Sequence, residues 1–348
     1  MFTETLTNKV LRSPLVDLLT GPHGVDRYTE LVDPVWTTEA RAKVLDVRRS
    51  TPRSVTLVLE PNEAVVGHRA GQHVSVTVEI DGRRHTRCYS PANAEAAPLV
   101  ELTIGRHDGG TVSEHLFRHA RPGLVVGLTE PAGDFVLPNP RPRRILFVSG
   151  GSGITPVMSM LRTLQAEGFD GEIAFVHYSP TPTDADYRDE LAAMPVRVLH
   201  GYTRSPGGEL TGYFDAEHLD AAMPDPDAVF VCGPPALVDA VTSLCPTARS
   251  ESFIPTPFVV PDSPSGGRIT FRDSTIAVTD DGRPLLEQAE AAGLTPKSGC
   301  RMGICHTCTR RKHRGAVRNL TTGAVSTAEE EDVQICVSVP LGDVELAL

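Results

Sequence analysis

A chain of 348 residues with a formal net charge of −11 is too long for one small domain and suggests two or three domains of ~100–150 residues each. The acid excess argues against nucleic acid as a partner, and no apolar run approaches the ~20 residues a membrane span needs. Seven cysteines, an odd number, fit reduced thiols better than a disulfide framework, and the first residues lack a secretory apolar core, so a cytoplasmic chain is expected.

Residues 1–39 read as an N-terminal helical extension. Leu11, Leu15, Leu18 and Leu19 have helical spacing, Pro14 sits near the helix start, Gly21 and Pro22 break it, and the single Trp, Trp36, follows. The extension is expected to pack on the next domain; a docking element for a partner is the other reading. From 40 to 138 the chain reads as short Val-, Leu- and Thr-rich strands over 44–48, 54–60, 73–80, 99–104 and 124–128, with turns such as Asp81–Gly82 between them. Strands at this spacing predict a small antiparallel β-barrel. Arg87, Tyr89 and Ser90 lie just after one of them: an arginine suited to phosphate, a ring able to stack on a flat ligand, and a hydroxyl to bond it. Gly110, Thr111, Val112 and Ser113 then open a helix, whose backbone N–H groups suit a pyrophosphate. Taken singly, each motif is equally a surface arginine, a core tyrosine or a plain helix start.

Between 139 and 255 strands and helices alternate, which predicts an open parallel α/β sheet. Strands are expected over 143–149, 172–178, 196–199 and 228–232, with a helix near 185–193. After the first strand, Gly151, Gly153, Thr155 and Pro156 form a glycine-rich turn. It leads into a helix with Ile154, Val157, Met158, Leu161 and Leu164 on one face. Close backbone approach followed by a helix N-terminus is what a dinucleotide turn needs. Ile154 stands where a nucleophile elbow would need glycine. Cys232, Gly233 and Pro234 end a strand at the same sheet edge, where ligands of such folds bind; Cys232 there faces a nicotinamide ring or is a buried small apolar residue.

A Pro-, Ser- and Gly-rich linker over 256–267 leads to the last unit, 268–348, read as a hairpin, a short helix over 285–292 and a final strand over 343–348. Here Cys300, Cys305 and Cys308 stand at C-x4-C-x2-C spacing with Cys336 further on. That is the plant-type [2Fe–2S] pattern, in which a short loop supplies three thiolates and a distant segment the fourth. Structural zinc sites instead read as two C-x2-C pairs, and only Cys305 and Cys308 make one. A Rieske centre would put His in place of two cysteines, and no second C-x2-H pair follows. The basic run from Arg310 to Arg314 reads as a solvated turn, or else as a docking patch beside the cluster.

The motifs R-x-Y-S, G-x-x-S, G-x-G-x-x-P and C-G-P, followed by the ferredoxin-like cysteines, together resemble the ferredoxin–NADP reductase superfamily, in the fused form with flavin domain first and ferredoxin last. The resemblance covers roughly residues 40–348. It implies a multidomain fold: an antiparallel β-barrel for FAD over 40–138, an α/β parallel-sheet NAD(P)H domain over 139–255, the linker over 256–267, and a β-grasp (α+β) ferredoxin domain over 268–348. It implies FAD phosphate on Arg87, the flavin ring against Tyr89, Ser90 near the reacting flavin atom, and pyrophosphate on Gly110 and Ser113. It counts Thr103, on the strand over 99–104, among the cofactor contacts. It also brings a P-x-G-x-F turn, Pro131, Gly133 and Phe135, and a Glu-x-aromatic pair beside the flavin, Glu251 and Phe253; the alternative for Glu251 is a solvated linker charge.

The activity implied is electron transfer from a nicotinamide through FAD to [2Fe–2S], with Ser90, Cys232 and Glu251 as the catalytic group. NADPH is expected over NADH. An NAD-selective site has an acid at the end of the second strand, but here no acid occurs until Asp184, and Arg204 follows a later strand and suits a 2′-phosphate. Ser13–Leu15 and the stretch from Gly21 to Tyr28 resemble actinobacterial reductases that feed acyl-CoA desaturases. The expected acceptor is therefore a di-iron desaturase in the membrane, which would hold this chain peripherally at the inner membrane. The alternatives are a ring-hydroxylating oxygenase or cytochrome P450, or a non-enzymatic redox-sensing or zinc-stabilised binding protein.

Overall fold

The computed structural model describes residues 35, 37, 39–65, 67–251, 265–299, 301, 303 and 306–348. The N-terminal helix, Trp36, Phe253, Cys300, Cys305 and most of the linker lie outside them.

The first unit holds β1 (Arg41–Thr51), β2 (Ser54–Pro61), β3 (Val74–Ile80), β4 (Arg83–Tyr89), β5 (Val100–Gly105), helix α1 (Thr111–His119) and β6 (Val125–Leu128). The strands form one antiparallel sheet in the order β4-β3-β6-β1-β2-β5. It wraps a core of Val44, Val55, Leu57, Leu59, Val76, Leu102 and Ile104, and α1 lays Leu116 on the same core against β4 and β5. Strands β3 and β4 meet through Asp81 and Gly82, both at positive φ, 50° and 74°, which is the handedness a two-residue hairpin needs. Arg87 and Tyr89 thus lie within a strand rather than after one. Strand β4 reads RRHTRCY, and so polar a segment shows no alternation in sequence; its partner β3 makes it a strand.

The second unit contains β7 (Arg144–Gly150), α2 (Ile154–Ala166), β8 (Glu172–Ser179), α3 (Arg188–Ala193), β9 (Arg197–Tyr202), α4 (Ala216–Ala222), β10 (Ala228–Cys232), α5 (Pro235–Leu244) and β11 (Arg249–Glu251). All five strands are parallel, in the order β11-β10-β7-β8-β9. The chain order reverses between β7 and β10, and ligands of open α/β sheets bind outside the strand ends at such a reversal. Ile145, Leu146, Phe147 and Val148 are fully buried, as a central parallel strand requires. The expected helix over 185–193 is shorter: a 3₁₀ turn, Pro182–Asp184, comes first, and Tyr187 at φ 58° delays α3 to Arg188.

The third unit pairs β13 (Ile276–Thr279), β12 (Arg268–Phe271), β19 (Val344–Leu346), β14 (Thr309–Arg314) and β17 (Glu331–Gln334), in that order, with β12 and β19 parallel. Helix α6 (Leu285–Ala291) buries Leu285, Leu286 and Ala289 in a core with Ile269, Phe271, Val337 and Leu346. A small second sheet joins β16 (Val325–Ser326), β15 (Val317–Asn319) and β18 (Ser338–Pro340). First and last strands pairing in parallel, with a helix across the mixed sheet, make the expected β-grasp.

The basic run is not a solvated turn. It is β14, in the interior of the mixed sheet. Lys312 is fully buried, donating to Gly315 O at 2.9 Å and to Ala328 O. Arg311 and His313 meet Asp332 and Glu330. Lys312 serves the sheet, while Arg311 and Arg314 on the same strand stay exposed, so the run is a buried ammonium between exposed arginines rather than a turn.

Candidate redox centre

Strand β4 carries Arg87 and Tyr89 to the sheet edge, and Ser90 follows. The Arg87 guanidinium donates to Thr86 O at 2.7 Å and Gly299 O at 3.1 Å. No carboxylate pairs with it among the described residues, which leaves its charge for an anionic ligand. Tyr89 packs on the barrel core, and burial pushes its phenol well above the ordinary range. Ser90 is buried with its hydroxyl unpartnered. Buried hydroxyls are rarely left so, and a polar ring edge from a flavin is what this site would satisfy.

At the start of α1, a side chain on Gly110 would lie 2.5 Å from Ser113 Oγ and 3.0 Å from His107 O, so glycine leaves that turn open. Ser113 is buried and its hydroxyl accepts from His107 N at 3.3 Å; Val112 is core and Thr111 is exposed. Thr103 is placed differently from the rest: its hydroxyl faces Thr56 at 2.7 Å and the phenol of Tyr187, so it joins the two units rather than opening onto Ser90.

The glycine turn and the C-G-P turn interlock. A Cβ on Gly153 would stand 2.3 Å from Cys232 O, and one on Gly150 2.8 Å from Pro234 Cδ. Gly151 has φ 53°, Thr155 bonds back to Ser152 O at 3.2 Å, Pro156 is buried, and Gly233 lies against Gly150. The cradle is bare backbone, as close approach of a pyrophosphate needs. Arg204 is exposed beyond β9, tied by its backbone N–H to Pro180 O at 2.9 Å.

Register then aligns a row of polar side chains across the parallel sheet: Glu251 pairs with Cys232, Cys232 with Ser149, Ser149 with His177. Glu251 sits on β11, 12% exposed, its Oε1 3.4 Å from His73 Nδ1. This is close enough for attraction but not aligned as a hydrogen bond, since both His73 ring nitrogens and Glu251 Oε2 are buried without partners. Glu251 is therefore not a solvated linker charge. Burial pushes its carboxyl above the usual range, against the opposing pull of His73. Burial, and then the Glu251 charge, pushes the Cys232 thiol up, so this cysteine is a neutral wall rather than a nucleophile. His73, the residue before β3, bridges Ala132 and closes on Gly133 of the P-x-G-x-F turn. Nothing in one sequence marked it, because a single histidine at a strand start has no pattern. His177, fully buried, is pushed down to about 3 by burial and meets Ser149 Oγ at 2.8 Å.

In the third unit Cys308 and Cys336 are both buried, and Ile335 N–H donates to Cys308 O at 3.4 Å. Arg301, Gly303 and His306 all have positive φ, 59°, 76° and 54°, so the loop coils tightly. Gln334 Nε2 fastens it by donating to Gly303 O at 2.6 Å, with His306 Nδ1 at 3.0 Å. Cys308 and Cys336, buried in one core at the end of this coiled loop, fit two of the ligands of an iron–sulfur cluster.

These parts define a flavin- and nicotinamide-dependent electron-transfer reductase with its own iron–sulfur domain. Family models match in the same order: an oxidoreductase FAD-binding domain over 46–137, an oxidoreductase NAD-binding domain over 147–243 and a 2Fe-2S iron-sulfur cluster binding domain over 269–341. An NADPH oxidoreductase of Mycobacterium tuberculosis is 34% identical over 343 residues, which span 93% of this chain and 89% of that protein. A glycine betaine monooxygenase reductase subunit of Pseudomonas aeruginosa is 30% identical, with 79% and 86% covered. The solved phthalate dioxygenase reductase, 22% identical, shares the fold with a TM-score of 0.64 over 88% of this chain and 97% of its own. The chain belongs to the ferredoxin–NADP reductase superfamily, among the reductases that carry a C-terminal [2Fe–2S] domain. It is an NAD(P)H-dependent oxidoreductase using FAD and a [2Fe–2S] cluster.

Proposed function

We propose that the chain draws electrons from NADPH and delivers them singly to an oxygen-activating terminal component. When bound, the flavin supplies the two-to-one electron conversion that neither a nicotinamide nor a [2Fe–2S] cluster performs alone. The chain's own residues bind, orient and handle the proton. The observation that carries this is the meeting of the two sites: Gly105, at the end of the flavin sheet, would put a side chain 3.4 Å from Ser152 of the glycine turn. Arg87 and the α1 turn hold the flavin phosphates, Tyr89 its ring and Ser90 its polar edge. Gly151, Gly153, Thr155, Pro156, Gly233 and Pro234 cradle the nicotinamide nucleotide over Cys232. Oxidation of a bound nicotinamide would release one proton for each electron pair passed on, and the unpartnered Glu251 Oε2, on the carboxylate that faces His73, is the atom that would hold it.

Two observations favour NADPH. Arg204 is exposed and without an ion pair among the described residues. Asp184, the first acid after β8, already accepts from Thr181 Oγ1 at 2.6 Å. The relatives' names, a monooxygenase reductase subunit and a stachydrine N-demethylase reductase subunit of Rhizobium meliloti, support an oxygenase-type acceptor. The desaturase reading rests on the resemblance of residues 13–28, which lie outside the described residues. Among these no helix is long and apolar enough to cross a membrane. Purified holoprotein reconstituted separately with a ring-hydroxylating oxygenase and a di-iron desaturase is the test. Product formation with the oxygenase, at a higher kcat/KM for NADPH than for NADH, is expected; turnover with the desaturase alone, or preference for NADH, overturns the corresponding part.

A further inference from the structure

Away from the redox row, a second, partly buried polar cluster joins the flavin sheet to the nucleotide unit. Arg162, two turns into α2, donates Nε and Nη2 to the two carboxylate oxygens of Glu190 on α3, at 2.7 and 2.6 Å. Its Nη1 crosses to the other unit, reaching Glu101 Oε1 on β5 at 2.8 Å and Ala92 O at 2.8 Å. The same guanidinium lies over the Tyr187 ring, 5.0 Å from its centroid. The Tyr187 phenol donates to Glu101 Oε1 at 3.2 Å and meets the Thr103 hydroxyl. Beside it, Asp186 accepts from Ser54 Oγ on β2 at 2.5 Å. Tyr187 holds φ 58°, a conformation that disfavours a bulky residue and that persists only where surroundings over-determine it.

Place explains the cluster better than fold maintenance alone. Helix α2 starts at the nucleotide turn, and β5 runs from Val100 past Glu101 to Gly105, which packs on that same turn. Arg162 and Ser152 therefore clamp one helix to one strand at two points, and the strand leads to the flavin side. The two units also share an apolar seam, Ala92 and Leu137 with Phe147 and Met160, but apolar packing is non-directional, whereas hydride transfer tolerates little displacement. We propose that Arg162, Glu101 and Tyr187 form an inter-domain strap that positions the nicotinamide turn against the flavin sheet. These are positioning residues, a role that presupposes the NADPH-to-FAD reading above.

The test uses full-length, FAD-loaded protein carrying Arg162→Met or, more gently, Tyr187→Phe, which removes only the hydroxyl. Three quantities are read: the anaerobic rate of flavin bleaching at saturating NADPH, the Kd for NADP+ from difference spectra, and calorimetric unfolding of the flavin-free protein. The strap predicts a bleaching rate down ~10-fold or more in Arg162→Met and several-fold in Tyr187→Phe. It predicts Kd within about twofold, because no strap residue touches the nucleotide cradle, and separation of the first two units' unfolding into distinct transitions. A point charge cannot replace a two-carboxylate fork, so Arg162→Lys should fall between. Lower thermal stability with an unchanged bleaching rate would mean a merely structural cluster and overturn the proposal, as would a loss confined to NADP+ affinity. Should the wild type itself fail to bleach with NADPH, the reductase reading falls; separated transitions in the variants would still support the coupling, and unseparated ones would remove it.

Discussion

Glu251 carries a carboxyl raised by burial, with one oxygen buried and unpartnered. Its protonated form therefore persists to higher pH than an ordinary carboxylic acid's. The pH profile of kcat for dye reduction should show a limb above the usual carboxylate range, and Glu251→Gln should erase that limb; a limb unchanged in the variant would assign it elsewhere. Asp186 makes a stability prediction of the same kind. Burial raises its carboxyl from 3.8 to about 6. A raised folded-state value contributes stability that is fully present below the unfolded value and lost as pH rises through the folded one. At pH 7.5 the buried charge is therefore a liability. Asp186→Asn should stabilise by about 1–3 kcal/mol there, with the gain shrinking as pH falls from about 6 to 4, read from denaturant midpoints across pH. At Cys336, buried in the same core as Cys308, replacement by Ser should abolish the iron–sulfur absorbance while NADPH still bleaches the flavin.

Elements decide what single residues mean. Lys312 looked like one charge in a basic run, but β14 carries it into the sheet, where its ammonium serves two carbonyls. Lys312→Glu should cost about 3–5 kcal/mol in the third unit, whereas a solvated lysine would cost almost nothing; calorimetry separates the two. The glycine turn behaves similarly. Gly153→Ala forces a methyl into Cys232 O and should cost about 1–3 kcal/mol while weakening NADP+ binding, seen by titration. Legibility in the sequence follows the same division. Cysteine spacing, the glycine turn and the alternation of β7 to β10 are local patterns and could be read directly. Strand β4 could not, because its residues are polar and only pairing with β3 makes them extended. Tyr187 delays the start of α3 by a left-handed φ that no residue type announces. His73 and Glu251, far apart in the chain, meet only after β3 and β11 are placed, and the same holds for Arg162 and Glu101.

At the scale of the molecule, three folded units put three redox groups in sequence, and the chain supplies spacing rather than chemistry. The flavin sheet and the nucleotide sheet share buried side chains: Ala70, Ala92, Phe135 and Leu137 pack with Phe147, Phe230 and Met160. The third unit has its own core and follows the linker, with Arg87 reaching Gly299 beside the cysteine loop. The central claim is that electrons pass from NADPH through FAD to the cluster within this one chain. Anaerobic titration of the purified holoprotein with NADPH, followed by visible absorbance, tests it most directly. Bleaching of both the flavin and the iron–sulfur bands is predicted; flavin bleaching with the cluster bands unchanged would contradict the passage to the cluster, and no bleaching at all would contradict the reductase.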